Sequence, residues 1–128
     1  MSRPAAGRLL LCRALSKEAA APPKDWSGNV IVDVCIVPMG VGLSTSKYVA
    51  RCETIFDKYG LSRKLHGYGT NVEGQWDDVM SAIKECHEAL HAMGAPRISS
   101  NMRFGTRVDK EQTIEDKLRS VEDKLDLE

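Results

Sequence analysis

Four polar residues in the second half of the chain have the types and spacing to hold a small ligand: Thr70, Glu73, Asn101 and Arg103. Together they offer a hydroxyl, a carboxylate, an amide and a guanidinium, enough donors and acceptors to read a flat metabolite. If Glu73 and Arg103 instead satisfy each other, the same set is an interface salt bridge, and the pattern serves both readings. A second stretch, "MGVGLSTS" at 39–46, runs a glycine-rich turn into a helix start, where free backbone N–H groups favour an anion. It lacks the Lys-Ser/Thr of a phosphate loop, so nucleotide hydrolysis is not implied. With Ser44 and Ser46 it is either an anion-capturing turn or a plain turn with a serine cap.

Nucleophilic and metal chemistry find less support. His87 follows Cys86, and adjacent helical side chains diverge by ~100°, so these two form no nucleophile–base pair. His87 and His91 sit one turn apart without a His-Glu-x-x-His pattern and read as a solvated helix face. His66 falls in a hairpin. No Ser/His or Cys/His pair is expected to converge. Cys12, Cys35, Cys52 and Cys86 lack CxxC spacing, and three of them fall on apolar periodic positions, which implies small hydrophobes rather than a disulfide framework. The expectation is a non-enzyme with no metal and no tightly held cofactor.

The elements that must position these groups follow in a clear order. "NVIVDVCIVPMG" reads as a strand apolar at both parities, hence central and covered on both faces. "SKYVARCETIFDKYG" carries a helical stripe of Val49, Cys52, Ile55, Phe56 and Tyr59, capped by Ser44 or Ser46 and ended by Gly60. "LSRKLHGYGTNVEG" reads as two short strands and a tight turn. "QWDDVMSAIKECHEALHAMG" is a helix striped by Val79, Ile83, Cys86, Leu90 and Met93, with Asp77 and Asp78 suiting its N-terminal dipole. Trp76, at the junction, is expected to pack as a plug. "RISSNMRF" alternates as a strand with one wet face, Ser99, Asn101 and Arg103. "TIEDKLRSVEDKLDL" spaces Ile114, Leu118, Val121 and Leu125 as heptads.

This order, β-α-β-β-α-β plus a terminal helix, predicts an α+β, ferredoxin-like antiparallel sheet over residues 28–126, with two helices on one face. The first and last strands are then neighbours, as are the first and third, so Asp33, Asn71, Glu73, Asn101 and Arg103 can gather on the open face. The open face and the terminal helix predict self-association as a homodimer or homotetramer.

The 128 residues suit one domain, and zero formal charge excludes a basic nucleic-acid or anionic-lipid footprint. No apolar run is long enough to span a bilayer. Charge is uneven, however: Arg3, Arg8, Arg13 and Lys17 face no acid within residues 1–17, leaving 14 basic against 18 acidic residues beyond them. Residues 1–27 are therefore a mitochondrial targeting segment or a disordered extension, and the location is mitochondrial or cytoplasmic.

"VDVCIVPMG", "SKYV", "GYGTNVEGQWDDVMSAIKECHEA", "RISSNMRFGTRVDK" and "TIEDKLRSVEDKL", in that order, resemble the YkoF-like family of thiamine- or hydroxymethylpyrimidine-binding proteins over residues 30–125. The resemblance implies a ferredoxin-like domain that associates through its sheets, has no established catalysis, and holds thiamine or its pyrimidine part near a subunit interface. The family's Gly-Thr-x-x-Glu-Gly falls on Gly69, Thr70, Glu73 and Gly74, and its serine before the aromatic on Ser46. Glu73 would accept from the amino group of a pyrimidine. Many members end the last strand Thr-Thr-x-Lys-x-Asp-Asp-Arg. Here the positions are Ser99 or Ser100, Asn101, Arg103, Gly105, Thr106 and Arg107, so the acid pair is missing. The implied ligand site is Thr70, Glu73, Asn101 and Arg103, with Gly69, Ser44 and Ser46 at its rim. A ligand-free structural or regulatory subunit, and a small hydrolase on the same fold, are the alternatives.

Overall fold

The computed structural model describes residues 25–127. Its elements are β1 (Asn29–Met39), α1 (Ser46–Lys58), β2 (Ser62–His66), β3 (Gly69–Gln75), α2 (Trp76–Ala92), β4 (Arg97–Gly105) and α3 (Ile114–Leu125). The four strands form one antiparallel sheet in the order β2-β3-β1-β4, the ferredoxin-like arrangement. The expected targeting or disordered segment falls almost entirely on residues outside this description.

Strand parity decides which side chains meet which layer. On β1, Val30, Val32 and Val34 are buried beneath the helices. They pack with Tyr48, Cys52, Ile55 and Phe56 of α1, with Val79, Ala82, Cys86 and Leu90 of α2, and with Val72 of β3. The intervening residues Ile31, Asp33, Cys35, Val37 and Met39 point to the opposite, open face. There Val37 and Met39 remain about two-fifths exposed, at 41% and 42%.

α1 departs from expectation at its start. The residue preceding the helix is Thr45, whose side chain makes no capping bond; Ser46 is the first helical residue, and its hydroxyl lies 3.1 Å from that of Ser44. Thr45 sits at φ −110° and ψ 0°, outside the extended conformation of a capping residue. α2 opens on Trp76, a plug as expected: its ring stands edge-on to Trp26 at 5.9 Å and to Phe104 at 5.2 Å.

α3 is the one element that begins on the open face. A reciprocal capping box joins Thr113 and Asp116, each side chain meeting the other's backbone N–H. Ile114 is buried against the sheet, but the stripe beyond it runs into solvent, with Val121 59% and Leu125 62% exposed. A helix of 12 residues whose apolar stripe is mostly wet gains little from its own domain.

Candidate functional site

The sheet separates the expected site residues into two groups on opposite faces. The pairings Asp33 with Asn71, Asp33 with Arg103, Cys35 with Asn101 and Ile31 with Glu73 bring Asn71, Glu73, Asn101 and Arg103 together on the open face. Thr70 pairs with Val34 and so points the other way, beneath the helices. The Ser44–Ser46 turn belongs to that second side as well, since Thr45 lines a cavity there together with Gly69 and Thr70. Thr70 therefore cannot share a pocket with Asn101 and Arg103: alternation sends neighbouring side chains through opposite faces.

The second-side cavity has a volume of about 240 Å³, enclosed between α1 and the hairpin end of the sheet. Its walls are mainly apolar: Val34, Ile36, Val49, Phe56 and Leu65, with Cys52. The polar end is built by Thr70, which donates its hydroxyl proton to Glu53 at 2.9 Å. Glu53 projects from α1 and is 7% exposed. Its other oxygen, Oε2, has no hydrogen-bond partner among the described residues. The nearest cation is Arg63, whose Nη1 lies 3.9 Å away while its Nε and Nη2 fork onto Asp57 at 2.9 and 3.0 Å. That fork holds the Asp57 carboxyl below its usual range. A buried carboxylate oxygen left without a donor is costly, and of this pair only Thr70 lines the cavity, with Glu53 behind it.

Glu53 was absent from the sequence expectation. On α1 it adjoins the buried stripe, and its only hint was a charged residue beside Cys52 on a face otherwise apolar. The two thiols nearby interact as well. Cys86 Sγ donates to the Cys52 carbonyl at 3.9 Å, and the proximity of the two side chains lowers the Cys52 thiol and, together with burial, pushes the Cys86 thiol far up.

The hairpin turn closes one side of the cavity. His66 Nδ1 accepts from the Tyr68 backbone N–H at 3.3 Å, which leaves Nε2 to donate to Asp33 at 2.6 Å. Gly69 is required by space: a Cβ there would come within 2.7 Å of the Val34 carbonyl oxygen and 3.2 Å of the His66 ring. Tyr68, 91% exposed, hangs free at the mouth.

On the open face Glu73 has a structural task. Its Oε1 accepts from the Ile114 backbone N–H at 3.2 Å, fastening the first turn of α3 to β3. Beside that tether lies a wider cleft of about 690 Å³. Its floor includes Ile31, Asp33, Asn71 and Arg103, and its wall is the 105–112 segment with Ile114 and Lys117. Glu73 and Arg103 make no ion pair with each other.

One chemical expectation needs correcting. A Ser/His pair does converge: His87 Nε2 and Ser100 Oγ lie 2.7 Å apart, across α2 and β4. His91 is likewise engaged, donating from Nδ1 to the Ala95 carbonyl at 2.7 Å. His87 is thus half-buried and tied to β4, whereas His91 bonds the turn after α2 and stays exposed, as expected of a solvated face. Ser100 and His87 line neither the cavity nor the cleft, and no third side chain orients His87, so the arrangement lacks the orienting partner of a nucleophilic triad. Among the described residues no group of His, Cys, Asp and Glu is arranged to hold a metal, and no helix is long and apolar enough to cross a membrane.

Comparison with known proteins gives a consistent picture. A family model described as thiamine-binding protein matches residues 32–122. A UPF0045 protein of Synechocystis sp. is 58% identical over 94 residues, covering 73% of this chain and 78% of the relative. Another, ECM15 of Eremothecium gossypii, is 45% identical over 98 residues, covering 76% and 93%. The crystal structure of a hypothetical protein from Methanocaldococcus jannaschii superposes with a TM-score of 0.69 at 37% identity, over 74% of this chain and 97% of that one. A Thermotoga maritima protein provisionally assigned to thiamine biosynthesis or salvage shares the fold at a TM-score of 0.63 and 22% identity, over 73% and 98%.

Proposed function

The chain belongs to the thiamine-binding protein family, and from that premise we propose that it binds a thiamine-like or aminopyrimidine metabolite without transforming it. The site we assign is the cavity between α1 and the sheet. The observation that carries this choice is Thr70, a hydroxyl on the wall of an apolar chamber whose proton is held by the buried Glu53 carboxylate behind it. The Thr70 hydroxyl has spent its one proton on Glu53 and keeps lone pairs to accept a second.

Size narrows the ligand further. Pockets for drug-sized molecules usually enclose 300–1,000 Å³, and the chamber encloses about 240 Å³. A single substituted aromatic ring fits that space better than two. Hydroxymethylpyrimidine, or the pyrimidine half of thiamine, is the buried part, with a thiazolium ring left at the mouth beside Tyr68. There a tyrosine face and a cation attract each other. The open-face cleft is a poorer host for a cationic ligand, since Arg103 stands on its floor.

We place the working form as a homodimer or homotetramer paired through the open sheet face and α3, where Val37, Met39, Val121 and Leu125 expose apolar surface. The location is mitochondrial or cytoplasmic, according to whether residues 1–27 direct import.

A thermal-denaturation panel of thiamine, its phosphates and hydroxymethylpyrimidine tests the reading. Hydroxymethylpyrimidine should raise the melting temperature in a saturable way, and Val49→Trp, which fills the chamber, should abolish the rise. A panel with no saturating ligand defeats the proposal in favour of a ligand-free structural subunit.

A further inference from the structure

The cleft on the open face has a charge pattern that the pyrimidine-binding reading leaves unused. Asn71, Asp33 and Arg103 stand in one row across β3, β1 and β4. At ~4.8 Å per strand, the amide and the guanidinium flank the row about 10 Å apart at their backbones. Asp33 is Arg103's direct partner in the ladder, yet its carboxylate accepts from His66 instead. Arg103 consequently makes no ion pair or side-chain hydrogen bond among the described residues. On the wall, Arg107 and Asp109 satisfy each other through a two-point ion pair. Four basic residues against three acidic ones line the cleft, a net of one positive charge, and among them Arg103, Lys110 and Lys117 have no ion-pair partner among the described residues. Ile31, Ile114 and Leu118 supply apolar surface in the same cleft.

We propose that this cleft is a second ligand site, for a small phosphate monoester with an apolar body, its phosphate held by Arg103 with Asn71 and Lys117. The match is one of charge and shape. A phosphate monoester carries about −1.5 to −2 at neutral pH, which the unpaired Arg103, Lys110 and Lys117 attract, and a guanidinium fork meets two phosphate oxygens at once. Asp33 turns its carboxylate to His66, on the β2 side of the row, and leaves the β4 side to Arg103. The cleft's volume of about 690 Å³ falls in the range of ordinary metabolite sites.

Titration of the full chain with phenyl phosphate, followed through backbone amide shifts, tests the proposal. Saturable shifts are expected at Asn71, Arg103 and Gly105, with inorganic phosphate weaker and phenol inert. Arg103→Gln should weaken binding about tenfold or more, since a hydrogen bond to a charged group contributes about 1.5–3 kcal/mol. Lys117→Gln should weaken it less, and Lys84→Gln, on the exposed side of α2, should change it under about twofold, the scale of a screened surface charge. Absence of saturable binding at millimolar phenyl phosphate overturns the proposal. So does an equal loss in Arg103→Gln and Lys84→Gln, which would mean a diffuse charge effect, or binding that appears only when the protein is diluted to monomers, which would mean that a second copy fills the cleft. Phenyl phosphate carries no pyrimidine, so these outcomes leave the cavity on the other face untouched.

Discussion

Glu53→Gln isolates the charge that holds Thr70 at the chamber wall. The substitution keeps the side-chain volume and retains an acceptor for the Thr70 hydroxyl, now 2.9 Å away. Arg63 loses a partner at 3.9 Å but keeps its fork on Asp57, so no cation is stranded. The buried carboxylate gives up its desolvation cost along with its attraction to Arg63. These terms oppose each other, and the apo stability should move by no more than about 1 kcal/mol. Binding is affected differently. Glu53 orients the Thr70 hydroxyl through a hydrogen bond to a charged group, worth about 1.5–3 kcal/mol, and losing that orientation should weaken hydroxymethylpyrimidine by up to roughly 10- to 150-fold. At a ligand concentration a hundredfold above the wild-type Kd, wild type gains about 2.7 kcal/mol. A variant weakened tenfold gains about 1.4 kcal/mol, and one weakened a hundredfold about 0.4 kcal/mol. At 4–8 °C per kcal/mol for a domain of this size, the ligand-induced shift should fall from more than 10 °C to roughly 2–10 °C. Paired melting curves with and without ligand read both quantities. A variant that keeps the full shift removes Glu53 from the site; one that loses several kcal/mol without ligand makes the carboxylate a structural member only.

Four further expectations follow from the same geometry. Glu73→Ala should loosen the first turn of α3 by about 1 kcal/mol, the usual cost of a lost helix cap, and hydrogen exchange at the α3 amides should quicken while the sheet amides stay protected. In acid, the Arg107 fork depresses the Asp109 carboxyl to about 2; a depressed carboxylate stabilises above its unfolded value, near 3.9, and that contribution fades only as pH falls towards 2. The Asp109 carboxyl resonance, followed from pH 7 downward, should thus show no titration until the pH falls below about 4. Val121→Glu together with Leu125→Glu should shift sedimentation to the monomer, and a wild-type protein that is already monomeric ends the self-association proposal. A reporter fused to residues 1–30 should enter mitochondria and lose import with Arg8→Glu and Arg13→Glu, whereas a diffuse cytosolic signal from the unaltered fusion assigns the segment no targeting role.

Periodicity made the architecture legible. Val30, Val32 and Val34 alternate, Val79, Cys86 and Leu90 recur at helical spacing, and glycines break the chain where strands turn. Each of these is a local rule, and together they allow few topologies other than βαββαβ with a trailing helix. The ordered motifs from "VDVCIVPMG" to "TIEDKL" were enough for the family. Side-chain partnership, by contrast, is not a local property. Thr70 and Glu73 lie three residues apart in one motif, yet the pleat sends them through opposite faces of the sheet, one to Glu53 and the other to α3. Glu53 lies 17 residues from the hydroxyl that it accepts, with a helix and a strand between them. Ser100 and His87 converge only because β4 happens to run beneath α2. A residue's type and its parity can be read along the chain. Which distant group completes its hydrogen bonds, and which oxygen is left without one, is decided when the layers pack, because burial removes the water that would otherwise have satisfied every polar atom alike.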